Sequence, residues 1–407
     1  MSENSRHIGE TPTPRRLFLP SLVLSYFVTA IPALIASLLL IDIGSTFNRS
    51  VAVTGQIQTT ANFFGAIFAV LMGAWSIRFN HKSLLLVGLL FINITALGCT
   101  FALNFTIMLV AFTLSGIGLN MVEPMLFSLV GEHFLLEKRV NAIGWVITGG
   151  ALSYVIGPPV IGFIVGLEFG NWRLAFLGYV LPLALLGIAM VFKAVSSPSR
   201  SPHSAISKGK YLEGYIGVFS NRSATACLVG AALSVAGFQA IVFYGISFFR
   251  QRFQLSIGFA AIILPVFALC YVFGNQVSGR LVNQFGRKPV TVLSVFFAGI
   301  FIISFTNMPN LWQAFVLACL GSLFSGLLAT ASFSLTLEQV PNFRGTMMSL
   351  RTAATGMGAA LGAGVGGLAL IWLDYEGIGI ALGAMSLTAT IIFYLLVSDP
   401  TSAKSNC

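Results

Sequence analysis

One carboxylate in this 407-residue chain stands in an unexpected place. Glu123 lies inside an apolar stretch running approximately from 105 to 130, nine residues before the next acid, Glu132. Steps of four, three and four residues put Gly116, Asn120, Glu123 and Phe127 on one helix face. At the rise of an α-helix, Glu123 sits about 13 Å inward from Glu132. An ionisable group at such a depth is costly and is functional by default: it can couple proton movement to a solute, or contact the solute itself. Two further readings stay open. Glu123 can be permanently paired with a base, for which Arg351 is the candidate at comparable depth, or it can face water at the helix end.

Arg351 lies about two turns inside its own apolar stretch. It can act as counter-ion to Glu123, contact an anion, or snorkel to the nearer surface, and snorkelling is the expected choice. Weaker candidates are Ser21, Ser25 and Thr29, which form a polar line with Tyr26 beside it, together with Gln239 and Tyr244, the largest polar groups of their stretch. Each of the weaker candidates has a plain alternative as a satisfied hydrogen bond between helices. Asp42 ends its stretch and reads as a solvated helix terminus. The chain shows no HExxH, no P-loop, no Ser/His/Asp set and no Asp-rich metal motif, so no enzyme, metal site or cofactor is expected. His7, His81, His133 and His203 are terminal or in loops.

The elements that must position these groups follow from composition. Hydrophobic residues make up 56% and charged residues 8% of the chain, against about 25% charged in a soluble domain. Apolar stretches run approximately 17–41, 51–76, 83–103, 105–130, 140–167, 173–195, 223–249, 256–279, 289–308, 311–336, 346–372 and 377–397, each long enough to cross a bilayer as a helix. Twelve crossings put both termini on one side. That side carries 18 Lys and Arg residues; the other carries Arg49, Arg173, Arg250 and Arg252. The bias places both termini in the cytoplasm of a multi-pass cell-membrane protein. It also accounts for the +10 formal charge without nucleic acid. The five cysteines make no disulfide framework, and no cleaved signal peptide is expected.

The expected organisation is a cytoplasmic tail at 1–16, a six-helix bundle at 17–195, a cytoplasmic linker at 196–222, a second six-helix bundle at 223–398 and a tail at 399–407. In the linker, Leu212, Tyr215, Ile216 and Phe219 recur at helical spacing, as in an interfacial amphipathic helix. The halves repeat at an offset of 206: Gly73, Phe79 and Lys82 return as Gly279, Phe285 and Lys288, and Phe127, Ser128, Leu129 and Glu132 as Phe333, Ser334, Leu335 and Glu338. Parallel repeats of this kind place a substrate site near the midplane and work by rocking one half against the other.

Two loops now carry a resemblance. Gly73 to Lys82, with Arg78, and Gly279 to Lys288, with Asn283 and Arg287, resemble the cytoplasmic signature of the major facilitator superfamily. The signature acid is replaced here by Ile77 and Asn283. Gly157-Pro158-Pro159-Val160-Ile161-Gly162 resembles the Gly-Pro motif of the antiporter branches, and the glycine-rich stretch after 356 looks like its counterpart. Glu132 with Arg139, and Glu338 with Arg344, stand where family acid–base pairs brace the inward mouth. The resemblance implies the major facilitator fold: twelve membrane helices, all α, in two six-helix repeats, with spans one, four, seven and ten lining the pathway. It further implies a secondary transporter, most similar to twelve-helix drug/proton antiporters, although Phe112 holds the place of their usual span-four Arg. Glu123 is the proton-coupling candidate; Asn120, Tyr26, Gln239, Tyr244 and Phe127 are the substrate-contact candidates. The expected activity is proton-driven efflux of amphipathic small molecules, with uptake of a small metabolite by a symporter or uniporter as the alternative. The expected partners are a small-molecule substrate, protons and the lipid bilayer, and the expected state is a monomer.

Overall fold

In lipid no water satisfies a free peptide group, so an apolar stretch folds as a helix that closes its own hydrogen bonds. The computed structural model describes residues 16–134, 136–167, 171–195 and 215–400, and among them every regular element is helical. The long helices are α1 (Phe18–Leu38), α2 (Gln56–Arg78), α3 (His81–Thr100), α4 (Phe105–His133), α5 (Leu136–Leu167), α6 (Leu181–Ala194), α7 (Arg222–Val242), α8 (Ile257–Phe285), α9 (Arg287–Thr306), α10 (Leu311–Leu337) and α11 (Arg344–Leu395). Ten helical stretches among the described residues are long and apolar enough to cross a membrane. α11 leaves helical geometry at Leu373 and Asp374, where the Asp374 φ is 52°, which divides it into arms of 344–372 and 375–395.

The boundaries have local causes. Asn80, Asn104, Asn221 and Asn310 each sit one position before a helix and accept hydrogen bonds from its first free N–H groups, the usual N-cap role of Asn. Gly286, at φ 89°, makes the one-residue turn between α8 and α9. Of the linker, Tyr215 to Ser220 is helical, with Ile216 and Phe219 exposed and Val218 buried; Leu212 lies outside the described residues.

Packing inside the molecule uses missing side chains. A methyl on Gly116 of α4 would run into the Ala61 carbonyl of α2, and methyls on Gly358 and Gly362 of α11 into the Ala232 and Ala236 carbonyls of α7. Close backbone approach of this kind drives helix association where no hydrophobic effect operates between lipid and protein. Large apolar side chains point outward instead: Leu90, Val110, Phe163, Phe192, Ile262, Phe273 and Trp372 are exposed. They suit an exterior that meets lipid.

Between the first half of the chain (16–195) and the second (215–400), two helix pairs make the seam. α2 meets α11, with Gly356 against Ala66 and Gly364 against Thr59, and α5 meets α8, with Gly162 against Ala261. Shifting by 206 residues exchanges the two pairs. Side-chain hydrogen bonds cross the seam at the end carrying Asp42. Ser37 Oγ donates to the Val242 carbonyl at 2.7 Å. Arg250 donates to both Asp42 carboxylate oxygens, at 2.5 and 3.1 Å, and to the Leu38 carbonyl at 3.0 Å. The molecule is bolted across its halves at the Asp42 end.

Candidate functional site

Glu123 sits on α4 at mid-depth, half-buried, and one side chain answers it: the Tyr26 hydroxyl of α1 donates to its carboxylate at 3.2 Å. Phe127, one turn further along α4, packs edge-on against Tyr26 with ring centroids 6.2 Å apart. Gly150 of α5 lies flush against the Tyr26 ring, leaving no room for a methyl. Three of the residues grouped from sequence, Glu123, Tyr26 and Phe127, therefore form one cluster. Asn120 shares the helix face but turns its amide back onto the Gly116 carbonyl at 2.9 Å.

The cluster continues across the seam through residues that sequence reasoning did not single out. Tyr154 of α5 lies within charge-interaction range of both Glu123 and Tyr271 of α8. Tyr271 is in turn within range of Arg351 on α11 and stacks on Phe238 of α7, centroids 5.3 Å apart. A tyrosine in an apolar helix is a large side chain with one polar atom to satisfy, which was the available signal for Tyr154 and Tyr271. Gln239, next to Phe238, is half-buried.

Arg351 does not snorkel. Its guanidinium turns inward, donates to Ser332 Oγ at 3.1 Å and lies over the Phe333 ring, 5.2 Å from the centroid. Its Nε–H is buried and has no acceptor. Nor is it paired with Glu123, whose carboxylate is met by the Tyr26 hydroxyl instead.

Other expectations are corrected. Tyr244 is not at a cavity wall: it is 1% exposed and its hydroxyl donates to the Ala363 carbonyl at 2.5 Å. It lies beyond the end of α7, and Gly366 and Gly367 of α11 leave the slot its ring fills. Asp42 is not a solvated terminus, because Arg250 claims both its oxygens. Ser21, Ser25 and Thr29 each bond a carbonyl of their own helix, so they are satisfied locally and not between helices. Gly279 would meet nothing with an added methyl, so no close approach requires it. Asn283 is exposed.

At the end opposite Asp42, His81 Nδ1 and Glu132 lie 2.5 Å apart, joining the first signature loop to the end of α4. Lys82 donates to the Phe192 carbonyl at 3.0 Å. Lys288 lies over Tyr394, 5.9 Å from its centroid. Arg287 opens α9 and Glu338 caps the end of α10. The side chains of Arg78, Arg139 and Arg344, and the surroundings of Gly73, lie outside the described set. Gly157 faces Leu34 of α1, Pro158 is buried, and Gly162 faces Ala261 of α8, so the Gly-Pro segment touches both halves.

Helices of this length, an apolar exterior and a polar cluster at mid-depth define a multi-pass integral protein of the cell membrane. The chain belongs to the major facilitator superfamily: the model of the Major Facilitator Superfamily matches residues 21–269 and 246–406. Its relatives include Multidrug resistance protein 2 of Bacillus subtilis (strain 168), 23% identical with 81% of this chain and 84% of that protein covered. Another is a probable 4-methylmuconolactone transporter of Cupriavidus pinatubonensis, 26% identical over 87% of this chain and 82% of the relative. The solved D-xylose-proton symporter shares the fold with a TM-score of 0.77 at 15% identity, covering 94% of this chain and 98% of the other. The protein is a major facilitator transporter.

Proposed function

We propose that this transporter is a proton-coupled carrier of amphipathic small molecules in which Glu123 is the proton site. The observation that carries the reading is the isolation of Glu123: a mid-depth carboxylate whose hydrogen-bond partner is the Tyr26 hydroxyl, on the seam that an alternating-access carrier must open and close. The 52-residue α11 is far longer than the roughly 20 residues one crossing needs. Its break at Asp374 supports twelve crossings, arranged as bundles at 17–195 and 223–398 joined by the 196–222 linker. The 18-to-4 split of basic residues supports both termini in the cytoplasm. In that frame Arg250–Asp42, Ser37 and Tyr244 close the outer mouth.

The Gly-Pro segment of α5 supports export against proton entry, as does the relative named for multidrug resistance. A specific observation favours a second reading, uptake of a small metabolite together with a proton: Arg351 has no acidic partner. The deciding measurement is lumenal pH in proteoliposomes that start with equal pH on both sides. When solute enters, exchange makes the lumen more alkaline and co-transport makes it more acidic. Glu123→Gln is expected to carry solute downhill with neither change. Uphill, proton-driven transport by Glu123→Gln defeats the proposal.

A further inference from the structure

The seam holds two opposite charges that do not meet. Glu123 belongs to the first half and Arg351 to the second, and tyrosines link their surroundings: Tyr26 bonds Glu123, Tyr154 neighbours both Glu123 and Tyr271, and Tyr271 neighbours Arg351. The titratable groups near Glu123 are Tyr26 from α1 and Tyr154 from α5, with Tyr271 from α8 next to those two tyrosines. α2 and α3, also packed on α4, meet it through Gly65 beside Asn120 and Gly88 beside Val122. Around Arg351 stand Cys227 of α7, Tyr271 of α8 and Ser332 and Phe333 of α10. None of these is acidic.

A desolvated guanidinium with an unused Nε–H is an anion receptor in search of its anion. Its planar fork matches a carboxylate better than any neutral acceptor, and the aromatic rings of Phe333, Tyr271 and Phe238 would flank what the carboxylate carries. Charge then sets the loading rule. When the seam closes empty, ionised Glu123 offsets Arg351. When it closes around an organic anion, the seam holds one positive and two negative charges unless Glu123 is protonated, and an uncompensated charge away from water is strongly disfavoured. We infer that Arg351 binds the carboxylate of an aromatic organic acid, and that the anion and a proton on Glu123 load together. Anion and proton consequently travel in the same direction. The inference rests on Glu123 as the proton site, and adds the substrate class and the sense of coupling.

The test is equilibrium binding to the purified full-length protein in nanodiscs, using 4-methylbenzoate and its uncharged isostere 4-methylbenzamide between pH 6 and pH 8. The acid is expected to bind at least about tenfold more tightly than the amide. Its affinity should fall by up to about tenfold per pH unit toward the alkaline end, as linkage to one proton requires. Glu123→Gln, which mimics the protonated carboxyl, should bind the acid tightly at every pH with no slope. Arg351→Gln should lose acid binding across the range, while Arg351→Lys keeps part of it; equal thermal stability of the two variants shows that both are folded. The carboxylate site alone is overturned if acid and amide bind alike, if the acid does not bind wild type, or if Arg351→Gln binds it normally. Acid preference without a pH slope in wild type overturns joint loading and the proton reading beneath it.

Discussion

The two halves of the chain are built alike and charged differently. Both pack neighbouring helices through glycines set against backbone carbonyls: Gly116 on Ala61 between α4 and α2, Gly326 on Tyr271 between α10 and α8. Both place an aromatic ring at the repeat-related positions Phe127 and Phe333, the first against Tyr26 and the second under Arg351. The ionisable groups have no such symmetry. The position 206 residues after Glu123 is Ala329, the one before Arg351 is Trp145, and Tyr26 corresponds to Ala232. Scaffold and chemistry are thus separable: the repeat sets how helices meet, and departures from it put a carboxylate on one side of the seam and a guanidinium on the other.

The sharpest way to break the shared part is to fill its glycines. Gly116→Val and Gly326→Val each push a side chain into a backbone carbonyl that cannot retreat, where overpacking costs about 3 kcal/mol or more. The expected outcome is loss of most folded, monodisperse protein for both, read by size-exclusion profile after solubilisation. A half that tolerated the change would show that the two helix pairs are not equivalent.

The unshared part predicts a failed transplant. Moving the acid across the repeat, as Glu123→Gln with Ala329→Glu, should leave proton-coupled flux at the level of Glu123→Gln alone. The new carboxylate would face Ala232 where the first half has Tyr26, and it would lie on the same side as Arg351. Restored lumenal pH changes in the double variant would mean that position in the seam matters less than the presence of an acid.

A similar separation governs what could be read before the fold was known. Apolar length and loop charge are properties of whole segments, so the helices appear close to where the sequence puts them, and the stripe of Gly116, Asn120, Glu123 and Phe127 follows from helical period alone. Aim and partnership are not segment properties. Arg351 has the same depth whether it snorkels or turns onto Ser332, and Tyr244 is equally polar in a cavity or locked on Ala363. Asp42 and Arg250 stand 208 residues apart, with no local pattern to join them. Tyr154 and Tyr271 became visible only when α5 and α8 were seen to meet.

That Asp42–Arg250 contact contrasts with its opposite end. It crosses between the halves, with side chains only 20% and 10% exposed, so Asp42→Asn should weaken closure at that end by about 1–3 kcal/mol, discounted from a fully buried pair. Distances between probes at the exposed positions 49 and 252, beside the pair, should shift toward the separated population by about tenfold. Arg250→Gln in the Asp42→Asn background should add little, since the two act as one contact. Ser37→Ala removes one bond to a carbonyl at the same end and should shift the same distances less, by about 1 kcal/mol.

The smallest effect is expected at His81–Glu132. This pair is short, but its side chains are 18% and 26% exposed and both belong to the first half. It braces a loop against the end of α4 without crossing the seam, so breaking it cannot separate the halves. An ion pair this accessible contributes under about 1 kcal/mol, and Glu132→Gln should leave the 49–252 distance distribution unchanged within error. If Glu132→Gln instead moved that distribution as far as Asp42→Asn does, the two ends would be coupled through the length of α4, and the Asp42–Arg250 contact would no longer be the one that holds the halves together.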